Sequence, residues 1–185
     1  MDETTGNTWE TSTLHVDAVR ARLTGHRALI IEEDAESFGR MFMSLAAAGC
    51  RAILARRPVQ AFQIAARTPP TLVIFSTSVT GDVTGLVGDL RREAACSLAT
   101  LVALGEGTAK RERRKLLELG CDGYVAKPAD RFLFATELLL RTPRLLSPMG
   151  AAPREHASDR AVEHAAGGIR RATSSFEPPC RRSSP

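Results

Sequence analysis

Five short apolar runs, each followed by a longer segment of helical period, constrain this chain more than anything else in its sequence. The runs are Ala28-Leu29-Ile30-Ile31, Ala52-Ile53-Leu54, Leu72-Val73-Ile74-Phe75, Leu101-Val102-Ala103-Leu104 and Tyr124-Val125-Ala126. They are continuous, with no polar alternation, which is the pattern of strands covered on both faces and so of a parallel sheet between helical layers. The segments between them space their apolar residues as helices do: residues 37–48, with Phe38, Met41, Phe42 and Leu45, then 58–67, 83–92, 109–119 and 130–141. Pro58 suits a first helical turn, Gly49 and Gly120 suit helix C-termini, and Asp130 suits an N-cap. The expectation is an α/β domain: a doubly wound, five-stranded parallel sheet with crossovers of one hand. In such a sheet the functional crevice lies at the carboxyl ends of the strands, so the residues just past each run are the candidates.

Composition places this domain among tails. The 185 residues, 43% hydrophobic and 25% charged, suit one ordinary core. Residues 1–25 read as a polar extension with a short helix from Thr13 to Leu23, residues 26–145 as the domain, and residues 146–185 as a disordered tail rich in Arg, Ser and Pro. No run of about 18 apolar residues exists to cross a membrane. The acidic, polar start is unlike a secretory leader, so cytoplasmic residence is expected. The four cysteines show no CxxC spacing and no histidine cluster, which argues against zinc or a redox pair. Cys50 and Cys121 are expected to pack as small hydrophobes.

Past the first run stand Glu32, Glu33 and Asp34; past the third, Ser76-Thr77-Ser78; past the fourth, Gly105-Glu106; past the fifth, Lys127-Pro128. With the Pro69-Pro70 entry to the third strand and the segment from Gly120 to Pro128, this arrangement resembles the CheY-like receiver domain of two-component response regulators over residues 26–141. The resemblance implies a flavodoxin-like fold. It also places Glu32 and Glu33 at a pair of Mg²⁺-binding acids, Ser76 at the phosphoacceptor aspartate, Gly105 at a phosphate-contacting hydroxyl, and Lys127 at a phosphate-binding lysine. Tyr124 stands at an aromatic whose rotamer follows that hydroxyl, and a cis peptide at Lys127-Pro128 is implied as well.

Two of these positions depart from the pattern. Ser76 cannot form an acyl phosphate and removes an anionic oxygen that a hard cation prefers. Gly105 has no hydroxyl to move toward a phosphate. The domain therefore reads as a degenerate pseudo-receiver: no catalysis, no required cofactor, and Mg²⁺ binding, with Glu33 as the candidate ligand, weakened by Ser76. Two readings of the pocket stay open, a remnant metal and anion site or a closed salt bridge between Lys127 and the acids. The second is favoured because an unpaired lysine in a crevice is costly.

The helix over residues 109–119 is densely basic. Arg111, Arg113, Arg114 and Tyr124 form the expected partner surface, although i to i+4 pairing such as Arg114 with Glu118 also fits a solvated face. The expected role is that of a stand-alone signalling protein acting by phosphorylation-independent protein contact. Its partner would be a histidine kinase or another regulator, or a second copy through the domain's fourth helix, fifth strand and fifth helix. The rival readings are a phosphorelay receiver with an unconventional acceptor and a nucleic-acid-binding regulator using the basic helix. The second rival lacks interleaved aromatics and a helix-turn-helix, and no membrane partner is expected.

Overall fold

The computed structural model describes residues 8–106 and 110–146, with side chains from residue 16 onward. The polar start at residues 1–7 and the tail beyond residue 146, with Cys180 and its arginine pairs, lie outside the described residues. So does Ala109 at the expected start of the basic helix.

The strands are β1 (Arg27–Ile31), β2 (Arg51–Ala55), β3 (Leu72–Ser76), β4 (Thr100–Glu106) and β5 (Gly123–Lys127), all parallel in the order β2-β1-β3-β4-β5. The helices are α1 (Thr8–Leu23), α2 (Ala35–Ala47), α3 (Pro58–Arg67), α4 (Val83–Arg92), α5 (Lys110–Glu118) and α6 (Phe134–Arg141), followed by a 3-10 turn at Pro143–Leu146. This is the expected α/β architecture.

Side chains alternate across the sheet, so the continuous runs divide between two cores. Ala28, Ile30, Leu72, Ile74, Val102, Leu104 and Val125 face Met41 and Leu45 of α2 and Phe134 and Leu138 of α6. Leu29, Ile31, Val73, Phe75, Leu101, Ala103 and Tyr124 face α3, α4 and α5. The division follows from crossover handedness. The step from β1 to β2 runs one way along the sheet and later steps run the other way, so keeping one hand requires the helices to change face after α2.

Three helix boundaries differ from the sequence reading. α1 begins at Thr8, earlier than Thr13, because Trp9 is the one apolar residue between Thr8 and Thr13 and a single residue sets no apolar period. Its last turns bury Val19 and Leu23 in the core shared with α6, and Arg22 donates to the Leu146 carbonyl at 2.6 Å. α2 begins at Ala35, since the Asp34 carboxylate accepts from the Glu36 and Ser37 N–H groups and caps the helix. At α6, Asp130 instead caps a single preceding turn, accepting from Phe132 and Leu133, and the helix proper opens at Phe134. There the buried Ser44 hydroxyl of α2 accepts the Ala135 N–H at 3.0 Å, a donor that a helix start otherwise leaves unmatched.

Cys50, Cys96 and Cys121 are buried free thiols within the two cores. Burial pushes the Cys50 and Cys96 thiols up to about 11 and Cys121 to about 12, so they pack as inert small hydrophobes. The Lys127-Pro128 peptide is cis. Among the described residues no helix is long and apolar enough to cross a membrane.

Candidate functional site

β1 and β3 are neighbours, yet the chain leaves them toward opposite faces, so their carboxyl ends open the crevice where Glu32 and Ser76 lie. Glu32 is 2% exposed. Its carboxylate is met by three donors: Lys127 Nζ at 2.9 Å, the Ser37 hydroxyl at 3.2 Å and the Asp34 N–H at 3.1 Å. Burying a carboxylate this deeply is costly unless donors such as these meet it. Lys127 reaches it from the end of β5, with Glu106 a looser second partner at 3.8 Å.

The serines complete the pocket. Ser76, 1% exposed, has its hydroxyl 2.7 Å from that of Ser78 and also accepts the Ser78 N–H at 3.3 Å. Lys127 Nζ donates to Ser78 Oγ at 3.4 Å. Glu32, Lys127, Ser78 and Ser76 thus form one chain of polar contacts holding one negative and one positive charge.

Glu33 is not among the partners of Lys127. It is exposed, and its backbone carbonyl accepts from Arg56 at 3.4 Å. The pair of acids expected from the sequence is therefore split, one buried on the lysine and one at the surface. A hard divalent cation needs several anionic or carbonyl oxygens around one point. Here one carboxylate is committed to an ammonium, the second faces out, and β3 offers hydroxyls. Among the described residues no group of three or more His, Cys, Asp or Glu side chains is placed to hold a metal. These residues do not fit Mg²⁺.

The next position along the crevice is built around an absence of side chain. Tyr124, 6% exposed, stands opposite Ala103, and Gly105 lies two residues further along β4 on the same face. A Cβ at Gly105 would fall 2.6 Å from the tyrosine Cζ and 2.8 Å from Cε2, so only glycine leaves the ring its seat. From that seat the phenol donates to Glu112 of α5 at 3.1 Å. Burial first, then the Glu112 charge, push the Tyr124 hydroxyl up to about 12, so it stays a donor.

Arg111, Arg113 and Arg114 are exposed on α5, and Arg114 pairs with Glu118 at 2.9 Å as its spacing suggests. Ser37, Ser78 and Glu112 were not singled out from the sequence. Ser37 is recognisable only once Asp34 is read as a cap, and Glu112 only once the register sets Tyr124 beside Gly105. A cavity of about 430 Å³ lies away from all of this, between α1, α2 and the turn before α6, with Val19, Met43, Ala47 and Phe132 in its lining. Its walls are mostly apolar, so volume does not mark the chemistry in this molecule.

Solved structures share this fold. A response regulator from Desulfuromonas acetoxidans matches with a TM-score of 0.56 at 22% identity, over 65% of this chain and 96% of its own. The chemotaxis response regulator CheY4 of Vibrio cholerae matches with a TM-score of 0.56 at 17% identity, over 66% and 99%. The signal receiver domain of a signal transduction histidine kinase from Syntrophus aciditrophicus matches with a TM-score of 0.56 at 21% identity, over 70% and 96%. No protein-family model matches the sequence, and no curated protein does. The fold is therefore the CheY-like flavodoxin fold of response-regulator receiver domains.

Proposed function

We propose that this protein is a two-component signalling protein whose receiver-like domain works as a pseudo-receiver, through protein contact and without phosphorylation. The observation that carries this reading is the closed pocket: Lys127 is neutralised by Glu32, and β3 ends in a buried hydroxyl where the chemistry requires a carboxylate. Phosphoryl transfer to such a pocket lacks both the acceptor and the cation that would offset charge on the moving oxygens. The domain then binds and does not catalyse, in the cytoplasm, with a histidine kinase or another regulator as its partner. Fold likeness supports signalling as the setting, and the residues at the strand ends support the loss of the switch.

The test is incubation of the full chain with Mg²⁺ and radiolabelled acetyl phosphate or a phosphorylated histidine kinase, beside a Ser76→Asp variant. The wild type is expected to stay unlabelled under both donors. Stable label on the wild type overturns the proposal and calls for mapping of an unconventional acceptor. Label on the variant alone assigns the loss to Ser76.

A further inference from the structure

The cavity of about 430 Å³ between α1, the second half of α2 and the turn before α6 has apolar side chains at it that nothing covers. Val16 is 59% exposed, and Met43 and Phe132 more so. Val16 shares a helix face with Val19 and Leu23, three and seven residues further on, and both of those are buried. α1 is therefore held to the core by its last turns, with Arg22 on the Leu146 carbonyl, and stands off from α2 one turn earlier. α1 also precedes residues 26–141, over which the chain resembles receiver domains, so one wall of the cavity is no part of that resemblance.

Among the described residues that line the cavity, Arg131 carries the only charge. Its guanidinium lies over the Phe132 ring, 4.5 Å from the centroid, and forms no ion pair among the described residues. A guanidinium stacked on a ring is fixed in direction, and its planar fork matches a carboxylate. The neighbouring carboxylate, Asp130, is turned to the Phe132 and Leu133 N–H groups that it caps and does not line the cavity. The site thus offers apolar walls and one unpaired cation at their edge.

Volume narrows the occupant. A cavity of about 150 Å³ with apolar walls holds benzene, so this one has room for an apolar body of roughly ten or more carbon atoms. One turn of helix, about 10 Å across and about 5.4 Å long, would by itself take up the whole space, which suits a slender chain better than a peptide helix. A bare inorganic anion would gain nothing from Val16, Met43 and Phe132, and a neutral hydrocarbon would leave Arg131 without a partner. We propose that this cavity binds a fatty carboxylate of medium chain length, with its hydrocarbon against Val16, Val19, Met43, Ala47 and Phe132 and its carboxylate on Arg131. The site shares no residue with the crevice at the strand ends and stands apart from the reading of that pocket.

The experiment titrates the full chain with sodium decanoate by calorimetry, beside Arg131→Gln, Ala47→Phe and, on the other face of the sheet, Arg67→Gln. Sodium butyrate, vesicles of phosphatidylcholine and phosphatidylglycerol, and sedimentation of the protein alone accompany it, and circular dichroism checks the fold of each variant. Decanoate is expected to bind one to one. Affinity should fall about tenfold in Arg131→Gln, which loses a charge-assisted pair, and about as much in Ala47→Phe, which fills the cavity, with Arg67→Gln unchanged. Butyrate, six methylenes shorter, should bind the wild type roughly a hundredfold more weakly or worse. That ratio is read on the wild type, so it decides the matter even where Ala47→Phe does not fold. Absence of decanoate binding, butyrate as tight as decanoate, or affinity that Arg131→Gln or a folded Ala47→Phe leaves unchanged overturns the proposal. Vesicles that retain the wild type and release Arg131→Gln overturn it in favour of a membrane surface. A dimer that Ala47→Phe dissolves and decanoate does not overturns it in favour of a second copy.

Discussion

The sheet is closed by an ion pair at each end, and the two are built to different standards. At the amino ends, Asp122 just before β5 takes Arg91 at 2.7 Å, Arg144 at 3.2 Å and the Leu101 N–H at 2.9 Å. Arg91 also donates to the carbonyls of Ser97, Ala99 and Gly120, and Arg144 to that of Leu98. Two planar guanidinium groups thereby tie α4, the loop after it, β5 and the 3-10 turn into one unit, each donor fixed in direction. At the carboxyl ends a single flexible ammonium meets Glu32, and hydroxyls complete the contacts. The first arrangement is a structural joint. The second keeps its charges balanced with fewer fixed directions.

The largest expected effect comes from breaking the joint. Asp122→Ala leaves two arginines and a backbone N–H without their shared acceptor; the joint is part-buried, so the loss is expected at the lower end of the range for a buried pair, about 3 kcal/mol. The measurement is the urea midpoint at constant m-value, and a loss no greater than that of a surface substitution would show that the carbonyl contacts suffice alone. Lys127→Met comes next, at about 2 kcal/mol, because Glu32 keeps the Ser37 hydroxyl and the Asp34 N–H. Adding Glu32→Gln to Lys127→Met should recover most of that loss, since replacing both partners removes the stranded charge. A double variant weaker than the single one would mean the pair is a net source of stability, and the contrast between the two ends would fall.

The five parallel strands, the helical cover on both faces and the crevice were legible because continuous apolar runs and proline or glycine punctuation report burial and chain reversal directly. Leu72 to Phe75 is buried throughout, as a central strand must be. The partner of Lys127 was legible only as a choice between two adjacent acids. Neighbouring residues leaving a strand diverge by nearly half a turn, and which one turns inward depends on where α2 begins, a boundary fixed by Asp34. Gly105 was legible as a missing hydroxyl and not as a seat for a ring, because that relation exists only between strands in register. The joint at Asp122 was not legible at all: its partners come from α4 and the 3-10 turn, 31 and 22 residues away.

A third effect, between about 1 and 3 kcal/mol, is expected at the seat. Gly105→Val places branched carbon against the tyrosine ring and forces it to shift, an overpacking cost of that size. Tyr124 is the only tyrosine of the chain, so phenolate absorbance reads this site without interference. In the wild type ionisation is expected near 12, and in the variant nearer the ordinary value of 10.0. Because the folded-state value is the raised one, the unfolded phenol deprotonates first. Stability should therefore decline as pH rises from 10.0 toward 12, less so in the variant. An unchanged titration would show that the ring keeps its place and that the glycine is dispensable.

The smallest expected effect lies just before β1, at His26. The imidazole is 7% exposed, its Nδ1 lies 3.0 Å from the Thr71 hydroxyl, and burial pulls its pKa below 6.5. Below pH 6.5 the unfolded chain takes up a proton that the folded chain refuses, so stability is lost as pH falls, until the lowered folded value is reached. Above pH 6.5 both states hold the ring neutral and the dependence vanishes. His26→Gln keeps a group able to bond Thr71 and removes the titration, so the difference between its urea midpoint and that of the wild type should shrink as the pH is lowered. A wild-type slope between pH 6.5 and 5 that survives His26→Gln unchanged would place the titrating group elsewhere in the chain.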